Sequence, residues 1–169
     1  SIYLSAGKRL RPVLVNGAKA PVLGGKIDGL RAFVGTDSGL YAAVSMPDGG
    51  TDSAVYRVTG RSSPRPFLVD GGPAPGGGAY RSVGSAELAG NGPTLAFLVP
   101  LFGAPAGRGV FTAVGEVVTL RVLDGSTVSD GSRLSLADTD VRGVDGEAVL
   151  LTARLIGTTP ASRALLAVR

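Results

Sequence analysis

The 169-residue chain predicts an all-β fold of tandem four-stranded antiparallel units. Three observations lead there. An Asx-Gly mark returns at a fixed step, a second set of turn residues keeps that step, and the apolar residues come in short bursts without helical spacing.

Three apolar stretches end in Asx-Gly: Val13-Leu14-Val15-Asn16-Gly17, Phe67-Leu68-Val69-Asp70-Gly71 and Leu120-Arg121-Val122-Leu123-Asp124-Gly125. Their glycines stand at 17, 71 and 125, two steps of 54. Asp37-Ser38-Gly39, Asn91-Gly92-Pro93 and Asp145-Gly146-Glu147 begin at 37, 91 and 145, the same two steps. Each lies between two apolar segments. Asn or Asp beside a small residue in that setting marks a hairpin, because these residues tolerate the positive φ a tight turn needs.

Taken along the chain, residues 1–7 and 9–17 read as two strands of one hairpin. Residues 30–34, 40–44, 54–58 and 67–69 follow as strands a, b, c and d of a unit. Residues 85–88, 94–99, 109–114 and 120–123 repeat that order, and 139–141, 148–152 and 164–168 repeat its first three members. The result is one repeat domain: a partial unit at 1–17 (strands c and d), units at 18–71 and 72–125, and a third at 126–169 lacking its last strand. Between units runs a Gly/Pro-rich connection, clearest at 72–78, which reads as flexible. Gly76-Gly77-Gly78 lacks the following Lys-Ser/Thr and helix of a phosphate loop.

Units of this size suit a β-propeller, whose blades typically number four to eight. Three units are too few for such a ring. The chain then reads as half of a six-bladed dimer or part of a larger propeller. The alternatives are a threefold β-trefoil or β-prism, or open stacking into a fibre. Strand c occurs once too often, since 1–7 and 164–169 are equivalent, and free strand edges are sticky. This makes Ile2, Tyr3, Leu4, Leu165 and Leu166 candidate assembly positions, with self-association into an oligomer or filament as the expected partnership.

Composition narrows the chemistry. Hydrophobic residues make up 44%, with 27 Gly and 11 Pro distributed as punctuation rather than as a tract. Cys and His are absent, which removes disulfides, thiol nucleophiles, Cys/His zinc sites and the usual general base. No apolar run approaches the roughly 18 residues of a membrane-spanning helix. No signal peptide is visible, and a start at Ser1 reads as a processed chain or an excised segment. The net charge of +4 comes mostly from Arg, scattered along the chain. That pattern favours a solvated basic surface over a nucleic-acid site.

No pair of carboxylates stands out as catalytic, and the expected protein is not an enzyme. Glu87 falls on a strand in the place of Phe33 and points to solvent or meets an Arg. Asp138, Asp140 and Asp145 lie close enough in sequence to suggest calcium, but the EF-hand spacing is not met and turn-forming roles account for them; no cofactor is expected. Most aromatics sit at matching strand positions and read as core. Tyr80 and Phe102 fall outside the strongest strands and are the candidates for exposed contacts with a ligand or partner.

The segment Val69-Asp70-Gly71-Gly72-Pro73-Ala74-Pro75-Gly76-Gly77-Gly78-Ala79-Tyr80 resembles the G-D-P-A-P-G-x-G-x-F signature of bacterial repeat proteins of unknown function. In those proteins an N-D-A-G-Q-V-A-F hairpin follows. Asn91-Gly92-Pro93-Thr94-Leu95-Ala96-Phe97 stands in its place here, and Asp145-Gly146-Glu147-Ala148-Val149-Leu150-Leu151 is a second version. Only the middle unit carries the Pro-Ala-Pro-Gly core. The resemblance implies a propeller-like, exported or cell-surface bacterial protein. The expected role is non-enzymatic and structural, with a lectin-like or protein-binding module as the alternative.

Overall fold

The computed structural model describes residues 1–6, 9–60, 62–104, 106–157 and 162–169, apart from the side chains of Leu4, Ala6, Arg9 and Ser162. Among them are fourteen strands, one 3₁₀ turn at Val83–Ser85 and no α-helix. In chain order the strands are β1 (Ile2–Ala6), β2 (Arg9–Leu14), β3 (Gly29–Thr36), β4 (Gly39–Ser45), β5 (Ser53–Val58), β6 (Arg65–Val69), β7 (Ala79–Tyr80), β8 (Glu87–Asn91), β9 (Thr94–Phe102), β10 (Arg108–Val114), β11 (Val117–Leu123), β12 (Arg133–Asp145), β13 (Ala148–Ile156) and β14 (Ser162–Val168).

They form several antiparallel sheets. β1 and β2 make a separate hairpin. β3-β4-β5-β6 is the first sheet. The second holds β8-β9-β10-β11, with short β7 on the far end of β9. β12-β13-β14 is the third. The three Asx-marked hairpins turn on two residues each, since Thr36 pairs with Gly39, Asn91 with Thr94 and Asp145 with Ala148. Gly92 and Gly146 take φ of 53° and 58° at the first turn position, as a type II′ hairpin requires. The first turn is Asp37-Ser38, so its register lies one residue earlier than the Asx alignment predicts. There Thr36 does the Asx work, its Oγ1 accepting the Ser38 N–H at 3.1 Å.

The connections expected to be flexible are ordered small hairpins. Gly17, Gly71 and Gly125 have φ of 83°, 80° and 80°. Their N–H groups donate to the carbonyls of Ile27, Tyr80 and Leu134 at 2.7, 2.8 and 2.7 Å. Those same three residues donate back to Ala18, Gly72 and Ser126 at 2.9, 2.8 and 2.8 Å. Only glycine adopts this φ cheaply, which explains the invariant second letter of the three marks. Ile27, Tyr80 and Leu134 are all buried, so each connection ends on an anchor.

The sheets lie face to face, and the core is a series of junctions. Between the first and second sheets sit Tyr41, Ala43, Val55, Tyr80, Leu95, Phe97, Val99 and Phe111. Tyr80 meets Phe97 and Phe111 edge-on at 6.3 and 5.6 Å, and Phe97 stacks on Phe111 at 5.3 Å, favourable aromatic geometries. Ala96, Leu98 and Val110, on the opposite face of the second sheet, meet Leu134, Val149 and Leu151 of the third. Ala42, Val44 and Tyr56, on the other face of the first sheet, meet Leu14 and Ile27. Strands β4, β9 and β10 are thus covered on both faces. This accounts for their near-continuous apolar runs.

β2 pairs only with β1. The threefold closed arrangement, in which the segment at 9–17 joins the third unit, is therefore not formed among the described residues. Among the described residues no helix is long and apolar enough to cross a membrane.

Candidate functional site

A cleft of about 870 Å³ opens where the first sheet meets the second. Its floor is built by the connection at 71–80 and the 3₁₀ turn. Gly84 in that turn lies so close to the first sheet that a Cβ would be 2.9 Å from the Val44 carbonyl oxygen and 2.8 Å from Ser53 Cβ. The Gly84 N–H donates to Ser53 Oγ at 2.8 Å. Asp70 takes the Ser53 hydroxyl on Oδ2 and the Val83 N–H on Oδ1, both at 2.7 Å. The Asp of this Asx-Gly mark therefore ties the end of one sheet to the start of the next. Asp124 repeats the bond, accepting the Leu136 N–H at 2.7 Å.

Tyr80 and Phe102, the two contact candidates, line this one cleft together with Arg31, Asp52, Arg81 and Ser82. Their exposures differ sharply. Phe102 is 68% exposed, as expected of a contact residue, whereas Tyr80 is only 5% exposed. The physical reason is the anchoring of Tyr80 at the end of its connection, which turns the ring into the junction core. Burial pushes its phenol up to about 12. Arg31 and Arg81 are exposed and make no side-chain hydrogen bond or ion pair with another described residue. Ser45 Oγ, also on the lining, is buried without a partner. Asp52 and Asp70, the latter already holding Ser53 and Val83, lie on the same lining. The arrangement suits a polar ligand with one flat apolar face, held by ring stacking on Phe102 and hydrogen bonds from the rim.

The acidic cluster at 138–145 is spread along one strand. Asp140 and Asp145 are five residues apart on β12, about 16 Å of extended chain. Asp140 Oδ2 is taken by Arg142 at 2.7 Å, while Asp138 and Asp145 are exposed. Among the described residues no group of three or more carboxylates is gathered as metal ligands would be. Glu87 does not point to solvent. Its Oε2 accepts the Val141 N–H at 2.8 Å, linking the second sheet to the third. Its register partner is Leu98, as Ala43 is the partner of Ala32, so its counterpart in the first sheet is Ala32 rather than Phe33.

The candidate assembly positions fall at the two ends of the stack. Ile2 is half-buried and packs toward the first sheet, while Tyr3 is 54% exposed. The side chain of Leu4 lies outside the described residues. Leu166 is half-buried against the junction of the second and third sheets, whereas Leu165 is 67% exposed on the other face. β5, β10 and β14 pair with β4, β9 and β13 so that Val55 faces Ala43, Val110 faces Leu98 and Leu165 faces Thr152. Each partner lies four residues into its own strand. Val55, Val110 and Leu165 therefore hold one place in three sheets. No protein-family model, no curated protein and no solved structure matches the chain.

Proposed function

We propose that the chain is a non-enzymatic structural module of an exported or cell-surface bacterial assembly. In this reading its sheets are successive copies of one 54-residue unit, stacked face to face as propeller blades are, and its two end faces take up further sheets by self-association. The recurring connection hydrogen bonds support the repeat. The observation that carries the functional reading is the contrast within one register position. Val55 and Val110 are fully buried by a neighbouring sheet, and Leu165 is 67% exposed. A face built like the covered faces, but left bare, is a surface for adding a sheet. The exported setting rests on the resemblance of residues 69–80 to the bacterial repeat signature.

Sedimentation over a hundredfold dilution series tests the assembly reading. The expected result is a mass that rises above the 16.9 kDa of the chain with concentration. A 16.9 kDa species throughout would overturn it.

A second reading is ligand binding in the cleft of Phe102, Arg31 and Arg81, favoured by the exposed ring beside uncommitted guanidinium groups. A glycan array probed with the protein and with Phe102→Ala tests it. Binding that Phe102→Ala removes supports this reading, and no binding by either protein rejects a lectin role.

A further inference from the structure

Resting on the assembly reading, we infer that the hairpin β1–β2 of a second copy is the occupant of the bare face of the third sheet. The argument starts from how the second sheet covers the first. Phe111 on β10, with Val118 and Leu120 on β11, packs against the face carrying Tyr41, Ala43 and Val55. β10 and β11 reach this arrangement through a bulge, with Val110 opposite Val122 and Phe111 opposite Leu120.

The hairpin β1–β2 has the same bulge at the same place. Ile2 stands opposite Leu14 and Tyr3 opposite Pro12. Counted back from the glycine of the Asx-Gly mark, Leu14 and Val122 are both third, and Pro12 and Leu120 both fifth. Tyr3 therefore stands where Phe111 stands, Pro12 where Leu120 stands and Leu10 where Val118 stands. The side that in β10–β11 covers a neighbouring sheet is here uncovered: Tyr3 is 54% and Leu10 70% exposed.

The third sheet offers the complementary half. Leu150, Thr152 and Leu165 stand where Tyr41, Ala43 and Val55 stand in the first sheet. Both halves of one more junction are thus on the surface, at opposite ends of the stack, and within the described residues they do not pair with each other. Two copies join them head to tail, and a heterologous contact of this kind propagates. The rim of the third-sheet face carries exposed Arg154 and Arg163, whereas Arg11 of the hairpin alternates with Leu10 and Pro12, lies on the opposite face and donates to the Ser62 carbonyl of its own chain. The contact is apolar at its centre.

The chain has no cysteine, which makes single-cysteine variants clean probes. Tyr3→Cys and Leu165→Cys are mixed and oxidised under conditions where the wild type associates. The expected product is a disulfide-linked dimer of the two variants, in at least tenfold excess over either variant alone. Leu165→Arg should weaken association at least tenfold with an unchanged melting temperature. Association with no Tyr3–Leu165 cross-link would overturn this docking while leaving the assembly reading intact. So would cross-linking of Leu165→Cys to Phe33→Cys, which would set the third sheet over the first sheet of the second copy. A monomer at every concentration would overturn both.

Discussion

The Asp70 carboxylate bonds the Val83 N–H at 2.7 Å across the join between the first and second sheets. The same group holds the Ser53 hydroxyl, and Ser53 in turn holds the Gly84 N–H. Hydrogen bonds to a charged acceptor contribute about 1.5–3 kcal/mol, and removing the acceptor strands its donors. Asp70→Ala is expected to lose about 2–3 kcal/mol in urea unfolding, and Asp70→Asn, which keeps one acceptor oxygen, clearly less.

Gly84 is required for space rather than for φ. A Cβ there meets backbone oxygen at Val44 and the Ser53 Cβ, neither of which can swing aside. Gly84→Ala is expected to cost about 1–3 kcal/mol through overpacking. Thermal unfolding checks it, with Gly50→Ala as the control because nothing lies within 4 Å of a Cβ at Gly50.

Phe111 and Phe102 separate core from surface. Phe111→Ala opens a cavity under Tyr80 and Phe97 and should cost about 3–5 kcal/mol. Phe102→Ala removes an exposed ring and should stay within about 0.5 kcal/mol. Equal losses in denaturant unfolding would contradict the assignment of Phe102 to the cleft rim.

Most of the strand plan was legible because most strands are short apolar bursts bounded by Asx, Gly or Pro; β12 is the exception, thirteen residues long and rich in polar residues where the sequence marked only 139–141. Three features were hidden. The first hairpin turn is one residue out of step because a threonine, Thr36, replaces the Asx side chain, and that exchange is invisible to an alignment on Asp or Asn. Tyr80 looked exposed because it follows a Gly/Pro tract. The tract folds back on itself, and the place of Tyr80 nine residues after Gly71, like Leu134 after Gly125, is the signal that marks both as anchors. Phe33 looked like core but is 71% exposed, because β1–β2 covers only part of that face. The cleft itself needed three dimensions, since Arg31, Arg81 and Phe102 belong to different strands and loops.

Glu87 joins the second and third sheets through Val141. Glu87→Ala should leave the Val141 amide without its acceptor and speed its hydrogen exchange, with little change at Val55 in the first junction. Uniform acceleration across all three sheets would show that the bond supports global rather than local stability.

Alkaline pH should unfold the protein through its buried phenols. Tyr56 and Tyr80 are both pushed up to about 12 by burial. The Tyr56 hydroxyl also donates to the Pro21 carbonyl at 2.6 Å, a bond that needs the proton. In the unfolded chain a tyrosine ionises near pH 10. Between about 10 and 12 the unfolded state has therefore released protons that the folded state still holds. Stability falls with rising pH wherever the folded state binds more protons. The contribution of these two phenols is complete below about pH 10 and is lost as pH rises through about 12. Phenolate absorbance at 295 nm should show Tyr56 and Tyr80 titrating late and together with the loss of β-structure by circular dichroism. Replacing Tyr56 with Phe should remove one late phenol and shift the alkaline midpoint upward. An unchanged midpoint would mean that some other group drives the transition.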